Sequence, residues 1–415
     1  MKRCALSILV AAILGVVSTP GLAGIWDLQT TFVHSTGNIH DDFGFAVAGA
    51  GGNVLVGAPN FSTGQTGTGD AYLYTRSGQR ITQFQNPASD TNDGFGYSAA
   101  SFGNGVLVGA PWAHVGSTSV GAVYEYDSTG KNRRAFQPPR ITSSDDFFGV
   151  SIATKGKYIF IGAKGVDAPA ADTGAVYVYD GDTGNLVRTI VNPSGFGYEM
   201  FGSSLAVVGD NLLVGAPGKF PGAGAAYLVD FEGNQIVRFP GPAGAEYLGT
   251  SVAAYGHDLL MGAPSPENPG TAYLYDTETG TYRTFRSPSP DPTDSFGFAV
   301  AAVGDNILIG AYRDMTAGVW SGSVYVFDSD GVLSATLTDP RGVGTMGMGF
   351  GNSLALLGND VLVGGGSCAW LLEGPSPANP IPEPATLIVW SLLGASGVGI
   401  GWWRRKRAAP YTRHL

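Results

Sequence analysis

Two short motifs recur seven times along the chain at one fixed internal distance. The first is Phe43-Gly44, Phe95-Gly96, Phe148-Gly149, Phe201-Gly202, Leu248-Gly249, Phe296-Gly297 and Phe350-Gly351. The second is Gly57-Ala58-Pro59, Gly109-Ala110-Pro111, Gly162-Ala163-Lys164, Gly215-Ala216-Pro217, Gly262-Ala263-Pro264, Gly310-Ala311-Tyr312 and Gly364-Gly365-Gly366. Within each unit the glycine of the first motif and the leading glycine of the second lie 13 residues apart, whereas the step between units varies from 47 to 54. A constant short spacing inside a variable long one marks a rigid unit joined by tolerant loops. Repeats of this kind bury their apolar faces against one another rather than singly.

Each unit reads as four short strands, A to D. Strand A, as in Phe43 to Val47, alternates large and small side chains. Strand B, as in Val54-Leu55-Val56, is a continuous apolar run suited to burial on both faces. Strand C is Ala71 to Tyr74, echoed by Val123 to Tyr126, Val176 to Tyr179 and Val324 to Phe327. Strand D, as in Ile81 to Phe84, is more polar. Asp127-Ser-Thr-Gly130, Asp182-Thr-Gly184 and Asp328-Ser-Asp-Gly331 separate C from D. The aspartate can bond the local backbone while glycine takes a positive φ. The 64 glycines follow no three-residue period, so they serve tight turns rather than a collagen helix. An all-β, seven-bladed propeller of four-stranded antiparallel blades is expected. The seventh unit stops after its C strand, Ala369 to Leu372, while Trp26 to Val33 precedes the first unit as an orphan D strand. Pairing the two closes the ring and removes its open edges.

The motifs and their spacing resemble the FG-GAP repeat known from the integrin α-chain propeller, over residues 25–373. Kelch repeats have a similar period, but their Gly-Gly pair and spaced tryptophan are missing. Calcium-binding members of the resembled family carry an Asp-x-Asn-x-Asp-Gly loop between the two motifs. Here that interval holds only turns such as Gly209-Asp210-Asn211, Gly304-Asp305-Asn306 and Gly358-Asn359-Asp360. Six or more oxygens are needed to hold Ca²⁺, so the resemblance carries the fold and no metal site.

The two ends carry sorting features. Lys2 and Arg3, the apolar run Cys4 to Val17 and the small residues Gly21-Leu22-Ala23 form an export signal over residues 1–23. The apolar run is too short to span a bilayer comfortably. A Pro-rich linker covers 374–384, and Pro382-Glu383-Pro384 precedes an apolar stretch at 385–403. Arg404, Arg405, Lys406 and Arg407 follow at once. That length can span a hydrocarbon core, with the basic cluster on the cytoplasmic side. Residues 381–407 resemble the PEP-CTERM sorting segment. The resemblance implies recognition by an exosortase-type enzyme, tail removal and delivery to the surface or matrix of a Gram-negative bacterium.

Seven of the 23 basic residues lie in these end segments, leaving 16 bases against 32 acids between Ile25 and Glu373. That field repels nucleic acid and anionic lipid, and tolerates cations or neutral polysaccharide. Cys4 leaves with the export signal, so Cys368 stands alone and is expected to be a small buried side chain.

An acid recurs two residues before the Phe-Gly motif: Asp41, Asp93, Asp146, Glu199, Glu246 and Asp294, with Met348 in the seventh unit. If strand A is innermost, these acids ring one mouth of the channel. Two readings are open: an acidic funnel or cation site, or turn caps repeated with the repeat. Six unpaired carboxylates around one pore would raise one another's pKa, so a cation or hydrogen-bonded turns must answer them. Asp90 to Gly94 resembles part of a calcium loop but lacks the distal glutamate.

The B–C loops vary most and share a face with the D–A loops. They hold Trp112, His114, Lys164, Asp167, Lys219, Phe220, Glu267, Tyr312, Arg313, Asp314 and Trp320. Variable loops over a rigid scaffold are where binding residues concentrate. The five histidines form no metal-ligand cluster, no G-x-S-x-G elbow occurs, and Gly342-x-Gly344-x-x-Gly347 lacks the surrounding βαβ unit. The expected function is a non-catalytic, monomeric surface or matrix module without cofactors. Its partner is a surface protein or an exopolysaccharide. The alternative is a polysaccharide-acting enzyme using the channel-mouth acids, which requires two carboxylates at a defined separation.

Overall fold

The computed structural model describes residues 26–34, 42–59, 69–88, 92–141, 143–218, 223–242, 245–289, 291–315, 321–341, 349–365 and 367–375. Seven four-stranded antiparallel sheets are built from them, each following the order A-B-C-D. The first blade comprises Ala46–Ala50, Asn53–Ala58, Asp70–Tyr74 and Arg80–Gln85. The A strand of each blade packs against the A strands of both neighbours, so seven A strands encircle the central axis. Crowding there explains their composition. Ala46–Ala50 reads AVAGA, Ser98–Phe102 reads SAASF and Ala299–Val303 reads AVAAV. The B strands lie between two sheets and are buried almost throughout, as in Asn53–Ala58 and Asn211–Ala216. The outer D strands fully bury at most one side chain each, such as Phe84 in Arg80–Gln85 or Ile190 in Leu186–Val191.

The A strands start later than the sequence pattern suggests. In the first blade the strand begins at Ala46, not Phe43, because Gly44 turns the chain with φ +93°. The third blade alone runs its strand through the motif, as Phe148–Lys155 with an irregularity before Ser151.

The 13-residue spacing has a direct physical origin. Gly44 N–H donates to Gly57 O at 3.0 Å, and Gly96, Gly202, Gly249, Gly297 and Gly351 make the same bond to Gly109, Gly215, Gly262, Gly310 and Gly364. The A–B hairpin therefore closes on its own two glycines, and an inserted residue would break that register. The second glycine also faces the next blade. A methyl group on Gly57 would overlap Gly96 O, and the same clash recurs for Gly109 on Gly149, Gly162 on Gly202, Gly215 on Gly249, Gly262 on Gly297, Gly310 on Gly351 and Gly364 on Gly44. A serine seals the contact in five blades: Ser98, Ser151, Ser204, Ser251 and Ser353 donate to the next blade's glycine carbonyl at 2.7–2.9 Å. In the first and sixth blades, where the contact is sealed by no hydroxyl, Ala46 and Ala299 stand at that position.

Ring closure follows the expected scheme. Leu28–Val33 pairs antiparallel with Cys368–Leu372, with Phe32 opposite Ala369, and completes the sheet that holds Ser353–Leu357 and Asp360–Gly365. Trp26 N donates to Glu373 O at 2.7 Å, and Glu373 N to Asp27 O at 2.8 Å. Phe32 is buried against Tyr74 of the first blade, ring centroids 5.5 Å apart. The Tyr74 hydroxyl donates to Val33 O at 3.3 Å. Tyr126 and Tyr179 repeat this bond to Gln85 O and Gln137 O, both at 2.6 Å. Burial pushes the Tyr74 phenol up to about 12, so it remains a donor at any physiological pH. Cys368 is buried, in no disulfide, and its Sγ accepts from Arg341 Nη1 at 3.1 Å. The stretches 1–25 and 376–415, with the export signal, the Pro-Glu-Pro motif, Arg404, Arg405, Lys406, Arg407 and the apolar span, lie outside the described residues.

Two outcomes follow for stability. Gly215→Ala should cost on the order of 3 kcal/mol or more, because blade-to-blade spacing must widen. Gly209→Ala, in an open turn with φ +57° and nothing nearby, should cost about 1 kcal/mol, from the left-handed backbone alone. Denaturant midpoints check the pair, and equal losses would contradict the packing argument. Deleting residues 26–33 leaves Cys368–Leu372 with an uncovered edge, so the purified domain should self-associate in sedimentation.

Candidate functional site

The B–C and D–A loops are clipped together on one face. Trp112 N donates to Asp93 O, Gly165 N to Asp146 O, Gly218 N to Glu199 O and Arg313 N to Asp294 O, at 3.0–3.3 Å. The residue at or just after the Gly-Ala-Pro motif thus reads the carbonyl of the acid that precedes the Phe-Gly motif. In the second blade the B–C loop forms a small hairpin, His114–Val115 with Thr118–Ser119.

Three of the acids are enclosed in this loop layer, while Glu199 and Glu246 are half-buried. Asp93, Asp146 and Asp294 are fully buried. Asn86 Nδ2 donates to Asp93 at 3.1 Å, with His114 Nδ1 3.8 Å from its other oxygen. Ser143 bonds Asp146 through both its backbone N–H (3.2 Å) and its hydroxyl (3.0 Å). Glu246 accepts from Ser265 Oγ at 2.5 Å. Glu199 lies in the richest network: Ser194, Asn192 and the Tyr227 hydroxyl donate to one oxygen, and Arg238 reaches the other at 3.2 Å. Burial opposes its charge, yet those hydrogen bonds and Arg238 hold it below the usual carboxylate range. Asp294 differs. Burial and the charge of Asp314 push it up to about 6 against the pull of Ser289 and Ser287. Asp314, also buried, accepts the Tyr325 hydroxyl. Asp41 lies outside the described residues. Of the two readings offered by the sequence, this geometry matches hydrogen-bonded turns. Among the described residues no group of three or more His, Cys, Asp or Glu is placed to hold a metal ion.

Aromatic rings gather beside these loops. The residue after the Phe-Gly motif immediately precedes the innermost strand in the first two blades, where it is Phe45 and Tyr97. Their ring centroids lie 4.7 Å apart. Tyr97 meets Trp112 at 5.3 Å, and Trp112 meets Phe147 at 5.9 Å, both edge-on. Lys164 Nζ stands 5.2 Å from the Phe147 ring. A half-buried row of four rings therefore crosses three blades. Phe147 holds φ +54°, and at the same repeat position Met200 and Tyr247 hold φ +59° and +54°. A left-handed backbone disfavours bulky side chains by roughly 1–2 kcal/mol. Gly94 fills the equivalent place in the second blade without that cost.

The other loop residues scatter. His114, Asp167, Glu267 and Arg313 are exposed, with Arg313 over the Tyr312 ring at 5.2 Å. Tyr312, expected to be exposed, is buried against Phe298 with centroids 4.5 Å apart. Lys219, Phe220 and Trp320 lie outside the described residues. Sequence reasoning missed Phe196 and Tyr198, which are 69% and 53% exposed on the loop between the third and fourth blades. Their signal was the glycine-spaced Ser194-Gly-Phe-Gly-Tyr198, held by Tyr198 N donating to Ala171 O at 2.7 Å.

The chain is a seven-bladed β-propeller. Three of its stretches match the FG-GAP repeat: residues 26–74, 142–179 and 290–327. No curated protein matches the sequence. The second and third of these stretches end inside a C strand, and the corresponding glycines of the other four blades make the same inter-blade contacts.

Asp294 yields a pH test. Its folded pKa of about 6 lies above the ordinary 3.8, so the fold favours the protonated acid. The resulting stability is complete below about pH 4 and is lost as pH rises through 6. Asp294→Asn should therefore raise stability at pH 7.5 by about 1–2 kcal/mol and change little at pH 4. Urea midpoints at the two pH values check it.

Proposed function

We propose that the protein is a non-catalytic binding module of the cell surface or extracellular matrix whose loop face holds a neutral exopolysaccharide. The row Phe45, Tyr97, Trp112 and Phe147 carries this reading. Aromatic faces combine apolar area with little conformational entropy to lose, and successive rings suit an extended chain of sugar units. Phe147 keeps its ring at a backbone cost that glycine would avoid, which supports a role beyond packing. The exposed Phe196 and Tyr198 extend the aromatic surface on the same face. The net deficit of basic residues suits a neutral partner rather than an anionic one. Buried, hydrogen-bonded acids favour binding over hydrolysis, because glycoside cleavage needs two carboxylates that reach the substrate.

Delivery is proposed from the two termini: export through residues 1–23, then sorting of the tail through Pro382-Glu383-Pro384 and Arg404 to Arg407 by an exosortase-type enzyme. The tail would tether the chain to the membrane until it is processed.

Co-sedimentation with exopolysaccharide isolated from producing cells tests the binding reading. Tyr97→Ala with Trp112→Ala should weaken retention at least tenfold, roughly 1.4 kcal/mol or more, with unchanged thermal unfolding. Undiminished retention in a folded double variant would refute the assignment of this face.

A further inference from the structure

The junction of the fourth and fifth blades breaks the repeat at its most regular point. In four other blades the motif phenylalanine fills the space against two rings of its own C strand, and Phe201 and Phe350 meet one ring each, Tyr227 and Trp370. Phe95 lies 5.9 Å from both Tyr124 and Tyr126, Phe148 lies 5.4 and 6.1 Å from Tyr177 and Tyr179, and Phe296 lies 5.7 and 6.2 Å from Tyr325 and Phe327. The fifth blade has Leu248 instead, and its C-strand rings are Tyr273 and Tyr275. The shorter side chain leaves a groove of about 330 Å³ lined by Leu248, Phe239, Tyr273, Tyr275, Tyr282 and Arg238. This lies at the lower end of small-molecule sites, which span about 300–1,000 Å³.

The lining defines the ligand. Phe239 meets Tyr275 edge-on with centroids 4.3 Å apart, and Tyr273 meets Tyr282 edge-on at 5.8 Å, so aromatic rings form the walls. Tyr282 is 55% exposed and stands at the rim. The lining includes three phenols, of which Tyr282 is exposed and the Tyr273 hydroxyl already accepts from Thr271 Oγ1 at 3.1 Å. Arg238 brings no net charge, because Glu199 answers it at 3.2 Å and its Nε donates to the Tyr227 hydroxyl at 2.9 Å. A ligand matching such a site is neutral and small, with apolar faces and a hydroxyl-bearing perimeter. We infer that the groove created by Leu248 is a second binding site, separate from the loop-face row, for a single neutral hexose unit.

Saturation-transfer NMR on the whole domain with methyl α-glucoside, methyl α-mannoside, methyl β-galactoside and N-acetylglucosamine provides the test. At least one probe should receive saturation, with Kd on the order of 1 mM or tighter. Leu248→Phe restores the ring found in the other blades, fills the groove and should abolish that transfer while leaving exopolysaccharide retention by the loop face unchanged. Should that variant misfold, Tyr282→Ala at the rim should weaken binding at least tenfold. Absence of transfer from all four sugars, or binding that survives either folded variant, overturns the inference. Loss of retention and of hexose binding together in Leu248→Phe would also overturn it, by merging the two sites.

Discussion

The architecture depends on one contact repeated seven times: an α-carbon hydrogen of glycine laid against the carbonyl oxygen of a glycine in the next blade. No other residue allows two sheets to approach so closely at this point, since any Cβ would occupy the oxygen's place. In six blades the same two glycine positions close the A–B hairpin by a backbone hydrogen bond. Local register and global packing are thus set by the same atoms. This is why the internal spacing holds at 13 residues while loop lengths drift. Serine hydroxyls in five blades occupy an otherwise open acceptor lone pair on that oxygen, which keeps a dry, tightly apposed junction from containing an unsatisfied carbonyl.

Around that contact the blades divide their work by radius. Small side chains line the axis because seven strands converge there. Branched aliphatic residues fill the B strands, which are covered on both faces. Phenylalanine and tyrosine rings occupy the wider wedge beyond, where sheets splay and larger volumes are needed. Tyrosine hydroxyls then reach the D strand of the preceding blade, tying the outer rim. The D strands, which carry polar and basic side chains and no acid, face solvent.

Most of this was legible because repetition amplifies weak patterns. A single Phe-Gly pair says little, but seven at constant spacing define a hairpin. The orphan strand Trp26 to Val33 was readable for the same reason: the seventh unit lacked a D strand and the first had one to spare. What escaped were details set by tertiary position. The A strand starts at Ala46 because Gly44 bends the chain, and a hydrophobic pattern cannot report φ. The recurring acids looked like a ring around the axis. Linear periodicity gives the angular position of a residue but not its depth, and the clipped loops enclose Asp93, Asp146 and Asp294. Tyr312 was expected on the surface for the same reason, while Phe196 and Tyr198 project from a glycine-spaced loop whose apolar letters gave no periodic signal.

Pairing of Leu28–Val33 with Cys368–Leu372 joins segments separated by nearly the whole domain. Blades one to six can stack in the order in which they emerge during synthesis, each nucleated by its own hairpins. The last cannot be finished until the final C strand is available, however early the waiting N-terminal strand appears. Closure therefore completes ring assembly, and pairing across so long a separation carries a high entropic cost. A chain stalled short of Leu372 keeps one unclosed flank, and so advertises its own incompleteness to proteolytic surveillance.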